Sequence, residues 1–138
     1  MVRRAFSLVE LLLTVALIGV ISGVSIPLYR EYQIRNDLNL AMEQSLQGLS
    51  RAQLLSRLNQ DDSSWGFSVP TGVLFKGQSY ATRDSAFDEA YPLPTNITVS
   101  GLAEVAFAKI TGEPLTTGTI VLQGANSSQQ TIVVTSGF

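Results

Sequence analysis

The chain has 138 residues, of which 45% are hydrophobic and only 14% are charged, and its net charge is −2. This length accommodates one folded domain beside a long helix, and the nearly balanced charge argues against nucleic-acid binding. The sequence contains neither cysteine nor histidine, which excludes disulfides, thiolate metal sites and histidine-based catalysis. We therefore expect a protein that is not an enzyme and that uses no cofactor.

The N-terminal part of the chain carries an apolar segment with the length of a membrane span. No charged residue occurs in residues 11–29, and Glu10 is the only charge in residues 6–29. A helix over residues 6–29 would be about 36 Å long, enough to cross a hydrocarbon layer of about 30 Å. Arg3 and Arg4 precede it, and this positive charge predicts an N-terminus in the cytoplasm and the remaining chain outside.

Two other interpretations of this segment stay open. One is a buried core helix, although such helices seldom run this long without a polar face. The other is a secretory signal sequence, because a basic start is followed by an apolar run and by the small residues Gly23 and Ser25 at a suitable cleavage distance. Glu10 argues against a signal sequence, since an ionised carboxylate at mid-membrane depth costs on the order of 2 to 3 kcal/mol. The presence of Glu10 in this apolar segment indicates an interaction partner for its carboxylate.

The start of the chain also resembles the processing segment of type IV pilins and type II secretion pseudopilins. The resemblance lies in the run Ala5-Phe6-Ser7-Leu8-Val9-Glu10, which follows the short basic leader of residues 1–4. The family pattern is a small residue, an aromatic residue, serine or threonine, two apolar residues and a glutamate, leading directly into an apolar helix. The family usually has glycine where this chain has Ala5.

The resemblance implies cleavage between Ala5 and Phe6 by a membrane-embedded prepilin peptidase, followed by methylation of the new Phe6 amine. It also implies that this amine meets Glu10 of a neighbouring subunit when an inner-membrane assembly platform builds a filament. Phe6 and Glu10 are four residues apart and would lie on one face of a helix, and an amine and a carboxylate attract strongly in an apolar environment. An intramolecular pair or a contact with lipid headgroups is the alternative.

Pro27 lies within the predicted helix, where it removes a backbone hydrogen bond and crowds the carbonyl of Gly23. Together with Gly19 and nearby serines, it makes residues 19–27 the weakest part of the helix. In the family that the chain resembles, this region can bend or lose helix inside a filament. Gly19 and Gly23 also have the spacing of close-packing glycines between membrane helices, although ordinary small residues in a membrane helix explain them equally well.

A second helical pattern follows the apolar segment and is amphipathic. Its apolar residues recur at steps of three and four: Ile34, Leu38, Ala41, Met42, Leu46, Leu49, Ala52, Leu55 and Leu58. No proline interrupts it, and polar turn residues after Leu58 predict its end. We expect this helix to cover one face of a sheet; a coiled-coil stem is the alternative, which Gly48 and an irregular seam disfavour.

The remaining residues form a pattern of short strands separated by turns. The predicted strands are Trp65–Val69, Val73–Lys76, Asn96–Ser100, Glu104–Lys109, Thr119–Gln123 and Thr131–Thr135. Short connections favour antiparallel pairing, and the charged, proline-containing segment Gln78–Pro94 is predicted to be a long loop. Trp65 is expected in the core. This half resembles the head of a minor pilin, in particular the H-type minor pseudopilin.

Two further patterns, a possible calcium site and two possible glycosylation sites, are weak. The acidic residues Asp61, Asp62, Asp84, Asp88 and Glu89 could bind calcium, but they lack EF-hand spacing, and a solvated charged loop explains them better. Two triplets that begin at Asn96 and Asn126 match the glycosylation pattern, which often occurs by chance.

The sequence thus predicts an α+β protein, with a long N-terminal helix packed on a small antiparallel sheet. Its expected parts are a leader (residues 1–5), a transmembrane or filament-core helix (6–29), an amphipathic helix (30–60) and a β head (61–138). The expected function is that of a minor pilin or pseudopilin, first in the bacterial cytoplasmic membrane and then in the pilus or pseudopilus; the missing C-terminal cysteine pair of many major pilins favours a minor subunit. A membrane-anchored binding module that never polymerises and a secreted domain released by signal peptidase are the alternatives.

Overall fold

The computed structural model describes residues 6–136, which form one long helix followed by seven strands. The helix α1 spans Leu8–Arg57, and short 3-10 turns occur at Gln60–Asp62 and Tyr80–Thr82. The strands are β1 (Trp65–Ser68), β2 (Val73–Lys76), β3 (Asp84–Ala90), β4 (Ile97–Gly101), β5 (Glu104–Phe107), β6 (Gly118–Gly124) and β7 (Gln129–Val134). The described residues belong to two structural units, one up to Gln33 and one from Ile34 onward.

The unit from Ile34 onward, which we call the head, contains two antiparallel sheets. The first has the strand order β3-β2-β1-β5 and the second has the order β4-β6-β7. Every strand pair in them is antiparallel, as the short connections predict. The α+β class is therefore confirmed, with the strands divided between two sheets.

The part of α1 that lies in the head packs on the strands through a stripe of mostly small residues. Its buried residues are Leu38, Ala41, Ser45, Gly48, Leu49, Ala52 and Ser56. At Gly48 the Phe67 ring of β1 approaches so closely that an added Cβ would overlap it. Small side chains thus let the helix approach the sheet, and large side chains from the strands fill the core.

The predicted apolar face of the amphipathic helix is wrong at some positions. Leu46 and Leu58 were expected against the sheet, but they are 42% and 66% exposed. Ser45 and Ser56 are fully buried instead, because the close approach of the sheet at Gly48 favours short side chains over leucine. A pattern based on apolar residues ignores serine and glycine. It therefore predicted a face that includes the exposed Leu46 and Leu58 and omits the buried Ser45 and Ser56.

Ser56 connects the end of the helix to two strands. Its Oγ accepts a hydrogen bond from the backbone N–H of Trp65 at 2.9 Å and donates to the carbonyl of Phe107 at 3.1 Å. Its own carbonyl accepts from the N–H of Ile110 at 2.8 Å. The helix ends one residue later, at Arg57 rather than at the predicted Leu58, and Trp65 is buried in the core as expected.

The predicted loop Gln78–Pro94 is wrong over its central part. Residues Asp84–Ala90 form β3, which pairs with β2 in the register Val73↔Ala90, Leu74↔Glu89 and Lys76↔Asp84. The strand is at the sheet edge and almost entirely exposed, so its sequence carries no apolar alternation. Pairing with β2, which lies next to it in the fold, decides its conformation.

An ion pair joins β3 to the helix. Arg51 binds Glu89 through two hydrogen bonds of 2.9 and 3.1 Å, and this bonding, together with the positive charge, holds the pKa of Glu89 below its usual value. The same bonds raise the pKa of Arg51. Both side chains are almost half exposed, so solvent weakens the attraction and the pair stabilises the head only modestly.

Candidate membrane and assembly segment

The unit up to Gln33 consists of the first part of α1 and exposes its apolar side chains. The large apolar residues that are at least 57% exposed are Phe6, Leu8, Val9, Leu11, Leu12, Leu13, Val15, Leu17, Ile18, Val20, Ile21, Val24, Ile26, Leu28, Tyr29 and Tyr32. None of the most apolar stretch is buried, and the helix is long and apolar enough to cross a membrane. A helix that is apolar on every side needs an apolar surrounding, and a bilayer provides one.

Hydroxyl groups inside this segment bond to the helix itself. Thr14 Oγ1 donates to the carbonyl of Leu11 at 2.8 Å, and Ser25 Oγ donates to the carbonyl of Ile21 at 2.8 Å. In hydrocarbon an unpaired hydroxyl would be costly, because no water is present and lipid tails cannot accept its hydrogen bond. These two polar residues are therefore compatible with a lipid-facing helix.

The helix begins with a serine cap three residues before the glutamate. Ser7 Oγ accepts from the N–H of Val9 at 3.4 Å, and its carbonyl accepts from the N–H of Leu11 at 3.1 Å. Glu10 is the third residue of the helix, the position where a carboxylate interacts favourably with the exposed N–H groups and the helix dipole. The spacing Ser-x-x-Glu is the sequence signature of a capping box, and it is a local signal for a helix start at Ser7.

The beginning of the helix corrects one expectation about Phe6 and Glu10. The two residues were expected on one helical face, but the helix starts at Leu8 and Phe6 precedes its cap. Helical spacing therefore does not place Phe6 beside Glu10 in this chain. Both residues are exposed. Ala5 and the rest of the expected leader lie outside the described residues, so the expected cleavage position is described only from Phe6 onward.

Gly19, Gly23 and Pro27 all lie within the continuous helix α1. In the part of the chain that the structure describes, no atom lies within 4 Å of a Cβ built at Gly19 or Gly23, apart from the local helix backbone. Glycine in a helix costs about 1 kcal/mol relative to alanine, and no contact within the described chain accounts for that cost. The two glycines therefore leave a shallow surface on which a second helix could pack closely.

Three of the five acidic residues considered above for calcium, Asp62, Asp88 and Glu89, form ion pairs. Asp88 bonds to Arg83 at 2.9 Å, and Asp62 bonds to Lys109 at 3.0 Å, which lowers the pKa of Asp62. Among residues 6–136, no group of three or more acidic side chains is placed to hold a metal ion.

No family model, curated protein or solved structure matches this chain. The segment that begins at Phe6 and the motif of residues 5–10 carry the chemistry from which a function can be inferred.

Proposed function

We propose that this chain is a filament subunit, a minor pilin or pseudopilin of a type IV pilus or type II secretion pseudopilus. A prepilin peptidase cuts it between Ala5 and Phe6, and the new amine is methylated. The observation that carries the proposal is the exposed apolar first part of α1, residues 8–29, in which Glu10 in the first turn is the single carboxylate. The run from Ala5 to Glu10 resembles the processing motif of that family, with alanine where the family usually has glycine.

Two environments can cover the exposed apolar helix. A bilayer covers it while the subunit is stored, and helices of other subunits cover it after assembly. The open surface at Gly19 and Gly23 is suited to the second environment, because small residues let a second helix approach closely. When the helix moves from the bilayer into the filament, its contacts with lipid are replaced by equally apolar contacts with other helices. Burial of apolar side chains therefore does not determine how the subunits align.

Glu10 supplies that alignment in the proposed filament. Among neighbouring apolar helices its carboxylate loses its hydration, which is costly unless a cation lies next to it. Cleavage removes Arg3 and Arg4 and creates a positively charged amine on Phe6, at the level of the helix start. Because Phe6 lies outside the helix, its amine is free to reach the Glu10 carboxylate of an adjacent subunit.

The cut is tested by the intact mass of the chain. The chain is produced in a bacterial membrane with an active prepilin peptidase, and in parallel with an inactive one. We expect the active peptidase to remove residues 1–5 and a methyl group to be added to Phe6, whereas the inactive peptidase leaves the chain whole. A chain that stays whole with the active enzyme refutes the proposal and favours a membrane-anchored binding module. A cut near Ser25 refutes it in favour of a secreted domain.

A further inference from the structure

Aromatic side chains occur only at the two ends of the apolar segment. Within residues 6–33 they are Phe6 at one end and Tyr29 and Tyr32 at the other. The two tyrosines are 68% and 70% exposed and three residues apart, so they are neighbours on the helix surface. Arg30, also exposed, lies between them in sequence.

A shallow, mostly apolar groove runs along the helix at this end. It is lined by Ser25, Ile26, Tyr29, Arg30 and Gln33. Apolar side chains thus lie toward the membrane segment, and the guanidinium and amide groups lie on the side that leads to the head. This gradient from apolar to cationic within two helical turns matches the boundary between acyl chains and headgroups.

We infer that Tyr29, Arg30 and Tyr32 form an interfacial anchor, which binds phospholipid headgroups of the outer leaflet and sets the depth of the helix in the bilayer. The inference rests on the membrane-spanning part of the proposed function but not on cleavage or assembly. Tyrosine prefers this boundary because its ring is apolar and its hydroxyl needs a polar partner. Arginine extends its charged group to the lipid phosphate while its aliphatic part stays among apolar atoms.

The anchor determines where Glu10 lies. At about 1.5 Å per residue, the helix rises about 28 Å from Glu10 to Tyr29, close to the thickness of a hydrocarbon layer, about 30 Å. With Tyr29 at the outer boundary, Glu10 therefore reaches the opposite headgroup layer rather than the membrane interior. The stored subunit then keeps Glu10 hydrated without a protein partner, and a partner becomes necessary only when the helix leaves the bilayer.

Single cysteines can report this depth, because the chain contains no cysteine of its own. The full chain carrying Val20→Cys, Leu28→Cys or Asn36→Cys is inserted into preformed vesicles of phosphatidylethanolamine and phosphatidylglycerol. A membrane-impermeant maleimide is added outside, and labelling rates are expressed relative to Asn36→Cys. We expect no labelling at position 20 and slow labelling at position 28.

The anchor is tested by removing both tyrosines in the Leu28→Cys chain. Tyr29→Ala with Tyr32→Ala should raise the labelling rate several-fold, because the helix loses its hold on the boundary and Leu28 moves into water. Tyr29→Trp with Tyr32→Trp should restore the slow rate, since tryptophan also prefers the interface. Gln47→Ala, at an exposed position of the same helix outside the groove, is the control and should leave the rate unchanged.

Two results would overturn the inference in distinguishable ways. An unchanged rate after removal of both tyrosines shows that they do not set the depth, while membrane crossing stands. Labelling of Val20→Cys as fast as that of Asn36→Cys shows that the helix does not lie in the bilayer, which also refutes the membrane part of the proposed function. Neither result bears on peptidase cleavage, which the mass measurement tests separately.

Discussion

Two substitutions can distinguish a role of the Glu10 charge in subunit pairing from a role of Glu10 in capping its own helix. Glu10→Gln removes the charge but keeps a side chain that serves in a capping box, whereas Glu10→Ala removes both. If Glu10 neutralises the amine of a neighbouring subunit, both variants should fail to assemble. If it acts only on its own helix start, where Ser7 forms the cap, Glu10→Gln should assemble normally.

The expected size of the effect follows from the environment of the pair. An amine and a carboxylate about 4 Å apart attract by about 4 kcal/mol at an effective dielectric constant of about 20. Removal of one member leaves the other buried and unpaired, at a cost of about 3 to 5 kcal/mol. Since about 1.4 kcal/mol corresponds to a tenfold change in affinity, each subunit contact should weaken about 100-fold or more. The loss of a helix cap costs only about 1 kcal/mol.

The assay compares incorporation of tagged variants into sheared, sedimented filaments. Glu43→Ala is the matched control, because Glu43 is an exposed carboxylate on the same helix and its removal should leave incorporation unchanged. Membrane insertion and cleavage are followed in the same cells and should be normal for every variant. Normal incorporation of Glu10→Gln would refute the charge pairing, even if Glu10→Ala were defective.

Three further predictions concern the head. Gly48→Ala should destabilise it by about 1 to 3 kcal/mol in chemical unfolding, because the new methyl overlaps the Phe67 ring; equal stability would show that the ring can move away. Ser45→Ala should stabilise it by about 1 kcal/mol, since Ser45 Oγ is buried without a hydrogen-bond partner in the described chain; a loss of stability would reveal a partner. Glu89 has a pKa below its unfolded value, so its stabilising contribution is complete above the unfolded pKa and is lost as pH falls through the folded pKa. Glu89→Gln should therefore reduce the loss of stability across that acidic range, and an unchanged pH profile would contradict the role of the ion pair.

The candidate site could largely be located from the sequence because its signals are local. The uncharged run of residues 11–29 and the position of Glu10 require no knowledge of the fold, and both lie in the exposed first part of α1. What the sequence analysis missed was the helix start. Phe6 was counted as helical from its spacing to Glu10, whereas the cap at Ser7 decides where the helix begins.

In the head, the sequence by itself determined the strands that carry their own apolar or β-branched pattern. Predicted Val73–Lys76 coincides with β2, and the predicted strand at Trp65 begins where β1 begins. Only the tertiary structure decided that residues 84–90 form the exposed edge strand β3. Their polar side chains have no preference for a strand, and it is the hydrogen bonds to β2 that hold them extended. It also decided the buried stripe of α1. Whether a serine or glycine faces the core depends on how closely a strand approaches, as Phe67 approaches Gly48, and that distance is a property of the packed molecule.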